Sequence, residues 1–235
     1  MSGTTVIAVL GVGRVGSAIA RQALKAGYAV AVSASGDPAS IRLLVDVVIP
    51  GAEAMYAADA VNAADLVVLA VPMNKYRTLP VEALFGKTVI DAMNYWAPVD
   101  GAIFEFDDDH RSTGELVQAF LPESHVVKSL NHIGYHELES DDRPQGADDR
   151  RALGIAGDGA DAKAVVAEFI DRLGYDVVDA GRLSMGQHFQ PGTPIFSGRQ
   201  QKADLARILS DAPTVDSDED PRLDHTGRPS SLQRA

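Results

Sequence analysis

Three glycines near the start of the chain have a spacing that could bind a phosphate group. They are Gly11, Gly13 and Gly16, and they lie between an apolar segment and a segment with helical periodicity. Glycine permits tight turns and close backbone approaches, and the N–H groups that open a helix attract anions. In this context the spacing predicts the pyrophosphate-binding loop of a dinucleotide fold. The predicted loop consists of Gly11, Val12, Gly13, Arg14, Val15 and Gly16.

The residues after the second predicted strand bear on which dinucleotide would bind. An NAD site usually ends this strand with Asp or Glu, whose carboxylate accepts hydrogen bonds from the ribose 2′-hydroxyl. Here the turn holds Ser33 and Ser35 but no carboxylate, and the nearby Asp37 is expected to cap a helix instead. The two serines are therefore predicted to bind a 2′-phosphate, with Arg14 or Arg42 supplying positive charge. This favours NADP over NAD as the cofactor.

Residues that end the third and fourth predicted strands could complete a cofactor site. The carboxyl ends of parallel strands gather at one edge of a sheet, where ligands of open α/β folds bind. Val71 and Pro72 either lie beneath the nicotinamide half of the cofactor or, at Pro72, only terminate the strand, and Asn94 is predicted to hold the ribose or carboxamide. Trp96, just beyond, either walls a substrate pocket by stacking or packs as an ordinary aromatic residue.

Asn131 and His132 follow the fifth predicted strand at the same edge and are the candidate catalytic residues, neither of them certain. A histidine here could act as an acid or base. Hydride transfer between two aromatic heterocycles, in contrast, needs mainly alignment, because the cofactor carries the chemistry. Thr193 lies in a Gly-Pro-rich segment that either presents the hydroxyl to a ring or only forms a turn.

Short β-branched segments alternate with helical ones, which is typical of a parallel sheet covered on both faces. The sequence predicts an α/β fold: a Rossmann-type, doubly wound, mostly parallel sheet of six or seven strands, with a small C-terminal helical region. The predicted strands are Thr5–Leu10, Ala29–Ser33, Leu66–Val71, Thr88–Asp91, Val126–Leu130, Ala152–Ala156 and Asp176–Asp179, and the main predicted helices are Val15–Ala26, closed by Gly27, Pro38–Val48, Asp161–Leu173 and Arg199–Leu209.

We predict a dinucleotide-binding domain over residues 1–181, a small region over 182–212 that completes the substrate cleft, and an acidic, disordered tail over 213–235. The segments Tyr95–His110 and Glu137–Arg150 are predicted to be irregular loops. Consecutive carboxylates rarely converge on one ion, so Asp107-Asp108-Asp109 is interpreted as solvated loop, and no metal site is expected.

Net charge, cysteine content and the length of apolar segments exclude several classes of function. The net charge of −12 argues against nucleic acid and anionic membranes as partners, and the chain has no cysteine for disulfides or thiolate chemistry. No apolar run approaches the roughly 20 residues that span a bilayer. With no signal-peptide pattern, a cytoplasmic enzyme acting on a small-molecule co-substrate is the simplest interpretation.

Together the motifs resemble the NADP-dependent coenzyme F420 oxidoreductase family. The resemblance rests on motifs that occur in family order over roughly residues 5–196: the glycine loop, Leu69-Ala70-Val71-Pro72, Val89-Ile90-Asp91-Ala92 with Asn94, Val126-Val127-Lys128 with Asn131, Ala156-Gly157-Asp158, Asp179-Ala180-Gly181 and Pro191-Gly192-Thr193-Pro194.

The resemblance implies hydride transfer between NADP(H) and the deazaflavin ring of coenzyme F420, or a related flavin-like acceptor. It also implies that Ile133 and Thr193 line the deazaflavin pocket, with Asn131 at a neighbouring polar position, and that the chain forms a homodimer. Family members that use NADP often carry Ser-Arg where this chain has Ser33-Ala34, and the Tyr95–Arg111 segment also differs, so the chain is interpreted as a divergent member. Two alternatives stay open: an NADP-dependent reductase of a small metabolite with His132 as proton donor, and a non-catalytic dinucleotide sensor.

Overall fold

The fold was analysed in a computed structural model, which describes residues 4–103, 106, 111–196 and 198–213, apart from the side chain of Val99. The strands are β1 (Val6–Leu10), β2 (Ala29–Ser33), β3 (Glu53–Ala54), β4 (Leu66–Leu69), β5 (Thr88–Asp91), β6 (His125–Lys128), β7 (Ala152–Gly157) and β8 (Asp176–Asp179). The α-helices are α1 (Arg14–Lys25), α2 (Arg42–Val48), α3 (Ala57–Ala63), α4 (Val81–Leu84), α5 (Ala97–Asp100), α6 (Thr113–Phe120), α7 (Tyr135–Ser140), α8 (Ala160–Arg172) and α9 (Lys202–Asp211), and 3-10 turns span Pro38–Ser40, Met73–Thr78 and Leu183–Phe189.

The strands form one sheet in the order β3-β2-β1-β4-β5-β6-β7-β8. Strands β1 to β6 are parallel, β7 pairs antiparallel with β6, and β8 is parallel to β7. The chain passes from one half of the sheet to the other between β1 and β4, which makes this gap the switch point where ligands of such sheets bind. The predicted doubly wound, mostly parallel α/β fold is confirmed.

Helices cover both faces of the sheet, as the continuous apolar strands require. One core contains Ile19 of α1, Leu138 of α7 and Phe169 of α8. The other contains Val61 of α3 and Val117 of α6. In the part of the chain that the structure describes, both faces of the sheet are therefore covered by helices, and the carboxyl ends of the strands are the expected place for a ligand.

Helix α1 ends as predicted, at a glycine in the left-handed conformation. Gly27 has φ +88°, and its N–H donates to the Leu24 carbonyl at 3.0 Å, while the N–H of Tyr28 donates to the Ala23 carbonyl at 3.1 Å. This pair of bonds is the Schellman motif, which satisfies carbonyls that the helix end leaves free. It turns the chain directly into β2.

Some predicted elements were wrong in extent. The helix predicted over Pro38–Val48 is a 3-10 turn followed by α2, although the predicted cap is confirmed, because Asp37 Oδ1 accepts from the Ala39 N–H at 2.9 Å. The edge strand β3 was missed, since its two residues carry no periodic signal. Strand β6 begins at His125, earlier than predicted, and it ends before Leu130, because Leu130 has φ +62° and cannot continue a strand.

The stretches predicted to be irregular contain short helices, α5 and α7. Helix α7 begins after Gly134, whose backbone N–H donates to Glu137 Oε2 at 3.3 Å, so the side chain of the third helical residue caps the helix start. Residues Asp107-Asp108-Asp109 and 214–235 of the predicted acidic tail lie outside the described residues.

The C-terminal region packs against the far end of the sheet. Phe189, Leu205 and Leu209 form a core with residues of β7 and β8. Gly154 in β7 makes room for this packing, because a Cβ there would lie 2.5 Å from the Phe189 ring. The division of the chain at residue 181 stays a prediction. Within the described residues, no helix is long and apolar enough to cross a bilayer.

Candidate functional site

The glycine loop lies at the carboxyl end of β1, next to the end of β4. Gly11 has φ +118°, and a Cβ there would overlap the Ala70 carbonyl after β4. A Cβ on Gly16 would overlap the Gly11 carbonyl. Both glycines are therefore needed for the loop to pack against the sheet and against itself.

Gly13 differs from its neighbours because it faces open space. A Cβ there would meet nothing within 4 Å, so the position is free on the side where a ligand would approach. Gly13 is also the N-cap of α1, and no side chain caps this helix end. The N–H groups of the first turn have no intrahelical acceptor, and the helix dipole adds positive potential there. These residues fit a pyrophosphate.

The turn after β2 has no carboxylate free to bind a ribose hydroxyl. Ser33 is only 2% exposed, and its carbonyl accepts from the Gly11 N–H at 2.8 Å, which ties the turn to the glycine loop. Ser35 is exposed, whereas the Asp37 carboxylate is used as a helix cap. Of the two predicted serines, Ser35 is the one whose hydroxyl a 2′-phosphate could reach.

The two arginines predicted for this turn lie in different places. The Arg14 guanidinium lies over the Tyr135 ring of α7, 5.8 Å from its centroid, so it faces α7. Arg42 is exposed at the start of α2, which follows the turn through the 3-10 segment. Arg42 is therefore the better placed of the two for a 2′-phosphate.

Val71 and Pro72 follow β4 beside the glycine loop. The N–H of Ala70 donates to the Leu10 carbonyl at 2.8 Å, so the two strand ends stay in register as they reach the edge. Val71 is half-buried and Pro72 is exposed. The chain then turns into the 3-10 segment Met73–Thr78, which leaves Pro72 at the rim.

Asn94 and Asn131 form a reciprocal pair across the ends of β5 and β6. The Asn94 side-chain amide donates to the Asn131 carbonyl at 2.7 Å, and the Asn131 amide donates to Asn94 Oδ1 at 3.0 Å. The Asn131 amide also donates to the Phe189 carbonyl at 2.9 Å. Asn131, only 4% exposed, thus joins the two strand ends to the C-terminal region.

His132 extends this network into β7. Its Nε2 lies 3.0 Å from the Gly154 N–H and must accept that bond, so the ring proton is on Nδ1, which lies 3.2 Å from Asn131 Oδ1. Burial lowers the pKa of His132 to about 3, with further lowering by the charges of Arg151 and Lys128. The ring is therefore neutral at physiological pH, and this argues against His132 as a proton donor.

Side chains replace part of the sheet ladder at this point. The β6–β7 pairing covers only Val127 with Gly157 and Lys128 with Ala156. Beyond it, the Ser129 hydroxyl donates to the Gly154 carbonyl at 2.7 Å, while His132 accepts from the Gly154 N–H. Both backbone groups of Gly154 are thus satisfied, and the segment after β6 is held in one conformation.

A buried ion pair, which the sequence motifs did not predict, lies next to this network. Lys128 Nζ is 3.0 Å from Asp91 Oδ2 and 2.5 Å from the Met93 carbonyl, and both charged side chains are fully buried. Gly114 and Gly186 leave room for the Lys128 side chain, because a Cβ on either would lie 3.0–3.6 Å from it. The sequence feature that could have predicted this pair is a lysine and an aspartate at the ends of two neighbouring strands.

The remaining predicted pocket residues differ in burial and in the part of the structure where they lie. Ile133 is 6% exposed and belongs to the core beside α1, whereas Trp96 is 54% exposed at the rim. Thr193 Oγ1 donates within its own loop, 2.7 Å from the His188 carbonyl. The assignment of these three residues to a substrate pocket stays a prediction.

The fold and the uncapped glycine loop at the switch point define a Rossmann-type dinucleotide-binding protein. Residues 6–95 match the family model described as "NADP oxidoreductase coenzyme F420-dependent". The match confirms, for this part of the chain, the resemblance to a family of NADP-dependent oxidoreductases that the sequence motifs indicated.

Three relatives show how far the similarity extends. A hypothetical protein from Sinorhizobium meliloti, SMa0349, is 29% identical, with a TM-score of 0.73 over 86% of this chain and 97% of that one. A protein from Arthrobacter sp. FB24, provisionally assigned as an F420-dependent NADP reductase, is 28% identical, with a TM-score of 0.64 over 79% of this chain and 88% of that one. Metalloreductase STEAP3 of Rattus norvegicus is 25% identical over 187 residues; the match covers 78% of this chain and only 35% of the metalloreductase.

Proposed function

We propose that the protein transfers a hydride between NADP(H) and coenzyme F420, or a related flavin-like acceptor. The observation that carries the proposal is the uncapped glycine loop at the switch point, beside a turn without a free carboxylate. The family match over residues 6–95 and the Arthrobacter relative support the same pair of substrates.

Each part of the cofactor has residues that would hold it. The backbone N–H groups at Gly13 and the first turn of α1 would bind the pyrophosphate. Ser35, with Arg42, would bind the 2′-phosphate. Val71, Pro72 and Asn94 lie at the strand ends that would face the nicotinamide ribose and ring. The bound NADPH supplies the hydride, and the chain supplies alignment.

The network around His132 supports ring-to-ring transfer over reduction of a small carbonyl or imine. Such a reduction needs a proton donor at the reacting atom, and general acid catalysis contributes roughly 10²–10⁴-fold. His132 is buried, with its pKa lowered to about 3, and its Nε2 is occupied by the Gly154 N–H. Asn131 is also engaged through both its amide nitrogen and its oxygen. These residues orient the wall of the cleft and release no proton.

Anaerobic mixing of the protein with NADP and reduced coenzyme F420 tests this proposal. We expect the reduced-nicotinamide absorbance band to grow as the deazaflavin is oxidised. A lack of transfer to any deazaflavin, flavin or quinone acceptor, with NADPH binding intact, would favour the sensor alternative.

Cofactor choice is tested separately by calorimetric titration with NADPH and NADH. NADPH should bind more tightly, and Ser35→Ala should weaken NADPH alone. Ser40→Ala is the matched control, because the Ser40 hydroxyl only bonds to the Asp37 carbonyl of its own turn. Equal affinity for the two nucleotides in the wild-type protein would remove the NADP assignment.

A further inference from the structure

The buried pair of Lys128 and Asp91 binds both backbone groups of Met93, the residue before Asn94. Asp91 Oδ1 accepts from the Met93 N–H at 3.0 Å, and Lys128 Nζ donates to the Met93 carbonyl at 2.5 Å. The two charged groups are joined to each other as well, since Lys128 Nζ lies 3.0 Å from Asp91 Oδ2. The pair therefore holds the backbone of Met93 at both its N–H and its carbonyl.

Met93 lies just beyond the point where strand pairing supports this segment. Strand β5 ends at Asp91, and the Ala92 N–H makes a last bond to the Leu69 carbonyl of β4 at 3.1 Å. Met93 is only 2% exposed, and buried backbone groups without partners are costly. Its two groups take their partners from the ion pair. The course of the chain as it leaves β5 is thus determined by these two side chains.

Asn94 is the next residue, so its position depends on this arrangement. Its side-chain amide donates to the Asn131 carbonyl, and its Oδ1 accepts from the Asn131 amide. Lys128 lies three residues before Asn131 and is paired with Asp91 in the β5–β6 register. The ion pair therefore joins the two strand ends that carry the asparagines. Asn94 itself is partly exposed, which leaves it within reach of a ligand.

The aliphatic part of Lys128 is held between two further segments. A Cβ on Gly186, in the 3-10 segment Leu183–Phe189, would lie 3.0 Å from Lys128 Cβ and Cγ. A Cβ on Gly114 of α6 would lie 3.6 Å from Lys128 Cδ. Such close packing leaves the side chain little freedom, so its Nζ atom stays at the Met93 carbonyl.

Stability alone is a weak explanation for a charged pair in this place. Apolar side chains of similar volume often stabilise a fold as well as a buried ion pair does, because they carry no desolvation cost. Apolar side chains could not, however, bind an N–H and a carbonyl of the same residue. The arrangement of Lys128 and Asp91 around Met93 therefore indicates a role in fixing a conformation.

We propose that Lys128 and Asp91 are positioning residues for the nicotinamide half of the dinucleotide, and that they act through Met93 on Asn94. Asn94 contacts the ribose or carboxamide of that half, and the pair fixes its orientation. The inference rests on the proposed function, because it takes NADP(H) as the ligand at this edge of the sheet. The adenine half is independent of the pair, since β1 and β4 separate the turn after β2 from β5.

Calorimetric titration with NADPH and with adenosine 2′,5′-bisphosphate, which keeps only the adenine half, tests the proposal. The neutral variant Lys128→Met, Asp91→Asn should bind NADPH about tenfold or more weakly than the wild type, as expected when a polar contact is lost. Its affinity for the bisphosphate should stay within about twofold. A general loosening of the fold would weaken both ligands, so the difference between them reports positioning.

Lys25→Met with Asp142→Asn is the matched control. It neutralises an ion pair whose side chains are 62% and 23% exposed and which lies at the far end of α1 from the glycine loop. Both affinities should be unchanged, because this pair contacts neither Met93 nor Asn94.

A double-mutant cycle tests whether the pair acts through Asn94. Asn94→Ala alone should weaken NADPH binding about as much as the neutral variant does. When the two are combined, the neutral pair should add less than about twofold, because it then has no asparagine to position.

Gly186→Ala provides a second variant if the neutral one fails to fold. Its methyl group would lie 3.0 Å from the Lys128 stem and should displace Nζ without changing any charge. We expect roughly threefold weaker binding of NADPH, with the bisphosphate unaffected.

The results that would overturn the inference differ from those that would overturn the proposed function. Equal losses for the two ligands, unchanged NADPH affinity in the neutral variant or in Gly186→Ala, or additive effects with Asn94→Ala would each overturn the positioning role. A wild-type protein that binds no NADPH would overturn both. A wild-type protein that binds NADPH and shows the expected losses, but transfers no hydride, would overturn the proposed activity alone.

Discussion

The Nε2 atom of His132 accepts a hydrogen bond from the backbone N–H of Gly154 at 3.0 Å. This contact holds the imidazole in one neutral tautomer and ties the segment after β6 to β7. Through Nδ1 the same ring faces Asn131, whose amide reaches Asn94 and the Phe189 carbonyl. A histidine that looks like an acid–base candidate in the sequence is thus part of the frame of the cleft.

Because the ring must stay neutral, His132 makes stability depend on pH. Its pKa falls from 6.5 in the unfolded chain to about 3 in the folded protein. The unfolded state therefore binds the proton more readily, and the contribution of His132 is complete above pH 6.5 and is lost as the pH falls toward 3. The expected slope is about 1.4 kcal/mol per pH unit in that window.

Urea unfolding of the wild-type protein and His132→Gln between pH 7.5 and about 4.5 measures this contribution. The free energy of unfolding should fall more steeply with acid in the wild-type protein than in the variant. His136→Gln, at an exposed position, is the control and should follow the wild type. Parallel curves for all three proteins would show that His132 is accessible to protons.

The same substitution separates the positioning role from proton donation. His132→Gln should leave NADPH affinity within about twofold and lower turnover by less than about tenfold, since a proton donor would cost roughly 10²–10⁴. Steady-state kinetics across pH provides the measurement. A loss of 10³-fold, or a change in the pH profile, would reassign His132 to catalysis.

Two similar substitutions in the glycine loop should have different effects, one on NADPH binding and the other on the stability of the fold. Gly13→Ala adds a methyl group into open space at an ordinary φ of −72°, so folding should be unaffected while the pyrophosphate is displaced. We expect at least about tenfold weaker NADPH binding by calorimetry. Gly16→Ala places a methyl group on the Gly11 carbonyl and should destabilise the fold by about 1–3 kcal/mol. If Gly13→Ala binds NADPH normally, the pyrophosphate lies elsewhere.

The buried pair of Lys128 and Asp91 should behave as a unit. Lys128→Met leaves a buried carboxylate without a cation and should cost about 3–5 kcal/mol in urea unfolding. Adding Asp91→Asn should recover most of this loss, because the side-chain oxygen of the introduced amide can still accept from the Met93 N–H. Lys25→Met is the control: its side chain is 62% exposed in its pair with Asp142, so less than about 1 kcal/mol is expected. Additive losses in the double variant would contradict the coupling.

Much of the sheet could be predicted, because strands buried on both faces have distinctive apolar segments. Strands β2, β5 and β8 match the predicted bounds, and the glycine loop lies where its spacing placed it. Strand β3 was not predicted, because two residues are too few to show the alternation of apolar and polar side chains that indicates a strand. The predicted end of β6 was too late, because no sequence pattern indicates that a non-glycine residue such as Leu130 adopts the left-handed conformation.

The site was harder to predict than the fold, since its contacts join distant parts of the sequence. Nothing in the order of residues shows that Asn131 would meet both Asn94 and the Phe189 carbonyl, 37 and 58 positions away. Without those contacts, Asn131 and His132 look like free polar groups. Likewise, the partner of Lys128 becomes evident only from the pairing of β5 with β6, which aligns it with Asp91.

The most direct test of the central claim is the fate of a deuterium label. The protein is mixed anaerobically with oxidised coenzyme F420 and NADPH that carries deuterium on one face of the nicotinamide C4 carbon, and the reduced deazaflavin is analysed by mass spectrometry. Direct hydride transfer predicts reduced F420 carrying one deuterium from one of the two labelled NADPH stereoisomers and none from the other. No reduction, or reduced F420 without label from either isomer, would contradict hydride transfer between the two rings.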